Sequence, residues 1–293
     1  MHTPVLLEKV LELLNPQPNQ NFIDCTAGAG GHTFAILELA APKGKVLAID
    51  WDPNAISLLK PQNRLLAREG NYADIAEIAR QEKFHPVHGI LFDLGFSLNQ
   101  IEKSQRGFSF MRNEPLDMRY NQNNPDTAEK ILNYYSRTQL EHTFKEYGEE
   151  QYAKQIAAEI IEVRAQKPIR TTKQLVEVIE RATPKSYRHK KIHAATKTFQ
   201  ALRIEVNDEL GNLQRGLSEA VEILEPGGKI AVLSFHSLED RIAKNFLKQN
   251  QSLSLITKKP AVATAQEVKL NPRARSAKLR VAVKQPHVNS LSQ

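Results

Sequence analysis

Cross-linking chemistry is almost absent from this chain: its 293 residues include one cysteine, Cys25, one tryptophan, and only 6% aromatic residues. A lone cysteine forms no internal disulfide. No Cys/His cluster has the spacing of a structural zinc site, so neither a disulfide scaffold nor a metal centre is expected. Long apolar runs are missing as well. The opening "MHTPVLLEKVLELL" is interrupted by Glu8, Lys9 and Glu12 and lacks the features of a signal peptide. No later window approaches the length of a membrane span. The expectation is a cytoplasmic globular protein with no membrane partner, long enough for one large α/β domain or two smaller ones.

Acidic residues are scarce in two places. From Arg241 to Gln293 there are eleven Lys/Arg against the single acid Glu267, which exceeds the whole chain's net charge of +7, so the remainder is net acidic. The stretch "RATPKSYRHKKIHAATKTFQALR", Arg181 to Arg203, holds seven Lys/Arg and no acid. Two basic stretches suit a polyanion, since phosphate contacts dominate nucleic-acid affinity; a solvated charged face is the alternative.

The period of the apolar residues changes twice along the chain. Between residues 21 and 100, "FIDC", "KVLAID", "LLAREG" and "GILFDLG" alternate with helical patterns. Strands separated by helices predict parallel β-α-β winding. From about Asp117 to Asn207 only amphipathic helical stretches remain. Ser136 is a candidate N-cap there, and Thr171 with Gln174 has capping-box spacing. After a helix ending at Pro226-Gly227-Gly228 the strand "KIAVLSF" resumes the α/β pattern, and "KLRVAV" suits a last strand. The expected organisation is an α/β domain over 1–112 and 207–293, with a helical insertion over 113–206.

The stretch "NFIDCTAGAGGHT" raises the question of a ligand. A glycine-rich turn between a first strand and a first helix lets backbone approach a ligand across the strand ends, and Asp50 closes the second strand where a carboxylate accepts from ribose hydroxyls. A nucleoside-containing cofactor follows. Counted from Gly28, the last place of the dinucleotide fingerprint G-x-G-x-x-G falls on Thr33, so a dehydrogenase is disfavoured. S-adenosylmethionine has no pyrophosphate and needs only room for its methionine end beside Gly28, Gly30 and Gly31.

At "DCTAGAGGHT", "AIDWDP", "GILFDLGFSLNQ", "RGFSF", "PLDMR", "TFQALRIEVNDEL", "PGGKIAVLSFHSLEDR" and "PRARSAKLR" the sequence closely resembles the bacterial 16S rRNA (cytosine-N4)-methyltransferase family, RsmH (formerly MraW), from His2 to about Val283. The resemblance implies a class I S-adenosylmethionine-dependent methyltransferase fold, Rossmann-like with a mainly parallel seven-stranded sheet, interrupted by an all-helical, RNA-recognising domain. It implies methyl transfer to the N4 amine of a decoding-region cytidine, with 16S rRNA in the 30S subunit as partner and the protein a monomer or weak homodimer. A non-catalytic ribosome-assembly factor that kept the fold is the alternative.

Carried over by motif, Gly30, Gly31 and His32 line the methionine end, Asp50 holds the ribose, Tyr72 lies beside the adenine, and Asp93 and Gln100 supply the remaining cofactor contacts. His32 also suits a helix cap and Tyr72 an ordinary core position. A cytosine amine is a poor nucleophile that must be held in line with the methyl, so a second role is open to Asp93: accepting from that amine while Phe96 stacks on the base. His236, in "SFHSLEDR", is a candidate proton acceptor or a polar turn residue. Arg188, Lys190, Lys191, Arg203, Arg273, Arg275, Lys278 and Arg280 are the candidate phosphate contacts. Leu98 and Asn99 depart from the family, which usually carries a small residue and often proline there.

Overall fold

A computed structural model describes residues 4–95, 104–188 and 192–286. The chain divides into two compact units, one built from 1–95 with 210–293 and the other from 96–209.

The first unit is organised by strands β1 (Phe22–Asp24), β2 (Val46–Asp50), β3 (Leu65–Glu69), β4 (Val87–Asp93), β5 (Leu224–Ser234), β6 (Leu253–Leu255), β7 (Ala261–Val262) and β8 (Lys278–Lys284). They form a sheet of order β3-β2-β1-β4-β5-β8-β6, with β7 pairing β8 off that path. β1 to β5 pair in parallel, while β8 runs antiparallel to β5, β6 and β7. The strand beyond the seven expected is the two-residue β7, too short to register as a periodicity.

Alternate residues of the central strands feed two cores. Ile23, Leu47, Ile90, Phe92 and Val232 pack on one face with Leu213 and Leu217, from the helix Glu209–Ile223. Phe22, Val46, Leu91 and Leu233 pack on the other with Val10 of α1 (Leu7–Leu14) and Ile36 of α2 (Gly31–Leu39). Burial on both faces explains why these strands read as continuous apolar runs in the sequence.

One boundary differs from the sequence pattern. The helix expected to reach Pro226 stops at Ile223, and β5 already begins at Leu224. Its pairing with β4 jumps from Val87↔Leu224 to Gly89↔Lys229, so Pro226-Gly227-Gly228 forms a bulge within the strand, with Gly227 at φ +81°. Lys284 Nζ donates to the carbonyls of Val221 (2.7 Å) and Leu224 (2.6 Å), satisfying the end of that helix from β8.

The second unit packs the helices Ala128–Tyr134, Arg137–Glu146, Ala153–Gln166, Thr172–Ala182 and Thr196–Asn207 around Phe144, Ile156, Ile160, Leu175, Ile179 and Leu202. Ser136 with Gln139 and Thr171 with Gln174 form complete capping boxes. The unit takes in more chain than the helical periodicity marks. Upstream of residue 113, the Gly107 N–H donates to Glu114 Oε2 (2.9 Å) and Phe108 joins the helical core. An irregular segment carries no period by which sequence alone assigns it. Among the described residues no helix is long and apolar enough to cross a membrane.

Candidate functional site

Three neighbouring parallel strands, β2, β1 and β4, each end on an aspartate: Asp50, Asp24 and Asp93. The strand order reverses between β1 and β4, and in open α/β sheets ligands bind outside the carboxyl ends of the strands at such a switch point. The glycine loop connects β1 to α2 at this end of the sheet.

Asp50 is fixed by backbone. Its Oδ2 accepts from the Gly28 N–H (2.8 Å) and its Oδ1 from the Asp52 N–H (2.9 Å). Burial raises its pKa more than these two hydrogen bonds lower it, and the carboxyl is pushed up to about 6.

The glycines divide into two kinds. A Cβ on Gly28, at φ +51°, would have nothing nearer than the Thr26 carbonyl at 3.9 Å, so this backbone faces open space. At Gly30, φ +84°, a Cβ would stand 2.4 Å from Phe34 and 2.8 Å from Leu59, and at Gly31 it would stand 2.3 Å from Pro4. Gly30 and Gly31 are therefore demanded by the protein's own packing, and Gly28 is the position where a ligand can approach bare backbone.

Asp24, which closes β1 and has no role among the motif assignments above, is buried. Its Oδ2 accepts from Thr33 Oγ1 (2.6 Å) and its Oδ1 from the Thr26 N–H (3.2 Å). Burial is the main reason its pKa is raised. Thr33, the residue that breaks the dinucleotide fingerprint, is thus the hydroxyl that satisfies this acid. The available signal was an acid closing an apolar strand directly before a glycine turn. Thr26 Oγ1 in turn accepts from the Asp93 N–H (2.7 Å), tying the loop to the end of β4.

His32 is buried with both ring nitrogens engaged. Nε2 meets the Val5 carbonyl at 3.1 Å and Nδ1 stands 3.3 Å from Asp93 Oδ2. Burial alone depresses the imidazole pKa, but the hydrogen bond and charge of Asp93, then the charge of Asp24 and the Val5 carbonyl, outweigh it and hold the value above the ordinary one. The other carboxylate oxygen, Asp93 Oδ1, is buried and has no hydrogen-bond partner among the described residues. An unpaired buried acceptor at this end of the sheet is where a ligand N–H or O–H fits.

Tyr72 opens a short 3₁₀ turn, half-buried, with its ring edge-on to Phe92 at 5.6 Å. Its ring and carbonyl take the space a Cβ on Gly216 would occupy. His236 is the N-cap of the helix Ser237–Gln249: its Nδ1 accepts from the Glu239 N–H at 3.5 Å, and Glu239 Oε2 accepts from the Phe235 and His236 N–H groups. Its Nε2 lies 3.2 Å from Glu239 Oε1 but outside hydrogen-bond geometry.

Two of the basic candidates need correction. Arg203 is buried in a two-point pair with Glu209, Nε to Oε1 at 2.8 Å and the second contact at 3.1 Å, and Tyr120 OH donates to the same Oε1. Arg280 is buried against Asp240, with Nε 2.7 Å from Oδ1. Neither guanidinium is open to a phosphate, because each neutralises an acid the charge count could not place beside it. Lys278 shares Asp240 at 3.0 Å but remains partly exposed, Arg188 and Arg275 are exposed, and Arg273 is half-buried. Phe96, Leu98, Asn99, Gln100, Lys190 and Lys191 lie outside the described residues.

A family model described as the MraW methylase family matches residues 1–285. "Ribosomal RNA small subunit methyltransferase H" of Desulfotalea psychrophila is 45% identical over 289 residues, covering 97% of this chain and 98% of the relative. The protein of the same name from Thermosipho melanesiensis is 47% identical over 286 residues, covering 96% and 97%.

Proposed function

The chain belongs to the MraW methylase family, and from that premise we propose that it transfers a methyl group from S-adenosylmethionine to the exocyclic N4 amine of a decoding-region cytidine of 16S rRNA in the small ribosomal subunit. The observation that carries the site assignment is Asp93: one carboxylate oxygen fixed by His32, the other buried and unpaired.

The residues fit the cofactor. Gly28 leaves its backbone open, Asp50 stands beside it and is assigned to the ribose hydroxyls, and the half-buried Tyr72 is assigned to the adenine. When bound, S-adenosylmethionine supplies an electrophilic methyl on a sulfonium. Gly30 and Gly31 are assigned to the methionine end, and Gln100, outside the described residues, to a remaining cofactor contact. His32 acts through Asp93 as a positioning residue.

Asp93 Oδ1 accepts a hydrogen bond from the cytosine N4–H, which directs the amine's lone pair along the transfer line. On methylation of N4 the Asp93 carboxylate would take the proton that the amine gives up. His236 is the second candidate for that proton. Lys278, Arg188, Arg273 and Arg275 are the described side chains assigned to phosphates, and the helical unit is assigned to RNA recognition.

Asp93→Asn tests the assignment through two readouts. The reading expects S-adenosylmethionine affinity within a few-fold of wild type and a single-turnover rate reduced by about a hundredfold or more. Lost affinity with an unchanged chemical step moves Asp93 to the cofactor side, and a His236→Ala enzyme with full single-turnover activity removes His236 from the chemistry.

A further inference from the structure

The segment "RGFSFM" belongs to the second unit and has no part in the chemistry above. Its backbone is tightly turned: Gly107 has φ +77°, and a Cβ there would lie 2.3 Å from the Pro115 carbonyl. Its two phenylalanines serve different neighbours. Phe108 is buried, stacked on Tyr120 at 5.6 Å with the Arg106 guanidinium 5.5 Å from its ring centre. Phe110 instead lies against His193, ring centres 4.6 Å apart and planes 17° from parallel, and is buttressed edge-on by Phe199 at 5.4 Å.

His193 is the exposed end of this aromatic column. Its ring is held in place twice, by the stack on Phe110 and by the Ala195 N–H, which donates to Nδ1 at 3.1 Å. That bond leaves Nε2 to carry the proton of the neutral ring. The residues next in sequence to the stacked pair are large, apolar and solvent-facing: Met111 is 80% exposed and Ile192 57%. The surrounding sequence, Arg181 to Arg203, contains no acid, and Arg188 is exposed on it.

A flat ring held with one face to solvent, apolar side chains beside it and positive charge without acids match the chemistry of single-stranded RNA. A base supplies the second aromatic face and its phosphates supply the negative charge. We propose that His193, backed by Phe110, is a stacking platform for an unstacked nucleobase of the RNA substrate, with Met111 and Ile192 closing its edges. The inference rests on the RNA-methyltransferase reading and adds to it a base-holding site on the helical unit.

The test uses the full chain and a short single-stranded oligoribonucleotide carrying 2-aminopurine, whose fluorescence is quenched on stacking. His193→Ala is expected to bind about tenfold more weakly, the order of one lost base–aromatic stack, and to lose the quenching. His193→Phe is expected to retain both, and S-adenosylmethionine affinity is expected to be the same in all three proteins. The platform is overturned if His193→Ala quenches and binds like wild type. It is also overturned if His193→Phe is as weak as His193→Ala, since the contact is then an imidazole hydrogen bond. A change of oligomeric state in His193→Ala with RNA affinity intact assigns the patch to a second copy instead. Quenching needs no methyl transfer, so a wild type that quenches but never methylates defeats the reaction reading and leaves the platform standing.

Discussion

His32 Nδ1 and Asp93 Oδ2 stand 3.3 Å apart, joining the first turn of α2 to the end of β4, while the opposite ring nitrogen reaches the Val5 carbonyl. One buried imidazole therefore sets the orientation of a carboxylate whose other oxygen is unpaired among the described residues. His32→Leu leaves two acceptors without their partner, and the expected loss is about 1–3 kcal/mol in urea unfolding. The single-turnover rate is expected to fall roughly tenfold to a hundredfold through the displaced carboxylate. His32→Asn, which keeps a donor, is expected to recover part of the rate; equal rates in the two variants would remove the positioning role.

The pKa of Asp50, raised to about 6, predicts a pH dependence of cofactor binding. Below that value the neutral carboxyl is a weaker acceptor for ribose hydroxyls, and calorimetric affinity is expected to fall with pH, at most about tenfold per pH unit. The same shift favours the folded state at low pH: its contribution is fully present below the ordinary 3.8 and is lost as the pH rises through about 6. Asp50→Asn is expected to flatten the affinity profile across that window.

The glycine loop predicts opposite outcomes for two similar substitutions. Gly30→Ala places a methyl group against Phe34 and Leu59 at a left-handed position and is expected to cost about 2 kcal/mol or more of stability. Gly28→Ala meets open space, so strain of about 1–2 kcal/mol is its structural cost, and reduced cofactor affinity is its main effect. Thermal melting with and without S-adenosylmethionine separates the two.

The legible and illegible parts of this site follow from range. The apolar runs of β1, β2 and β4, the glycine turn and the capping residues Ser136 and Thr171 are local patterns, and the structure has them where the sequence shows them. Pro4 lying where a side chain on Gly31 would go, Val5 meeting His32, and the Leu6 N–H donating to Glu267 across the chain are not local, and no period announces them. Counting charge placed Arg203 and Arg280 among the phosphate contacts because a count is blind to burial. Their acids, Glu209 and Asp240, become neighbours only on folding.

That distinction predicts how the arginines separate by experiment. Arg203→Ala strands the buried Glu209 carboxylate and is expected to cost about 3–5 kcal/mol of stability. Arg275→Ala, at an exposed position, is expected to leave stability unchanged, weaken RNA binding and lower the salt dependence of binding by about one unit of slope. Unfolding curves and salt titrations on both variants check the assignment.

The most direct test of the account is methyl transfer from labelled S-adenosylmethionine to 30S subunits from a strain lacking the family enzyme, with the product nucleoside identified by mass spectrometry. The account predicts N4-methylcytidine at a single decoding-region position of the 16S rRNA. Binding to the subunit without any methyl transfer would contradict it and make the chain an assembly factor that has kept the fold.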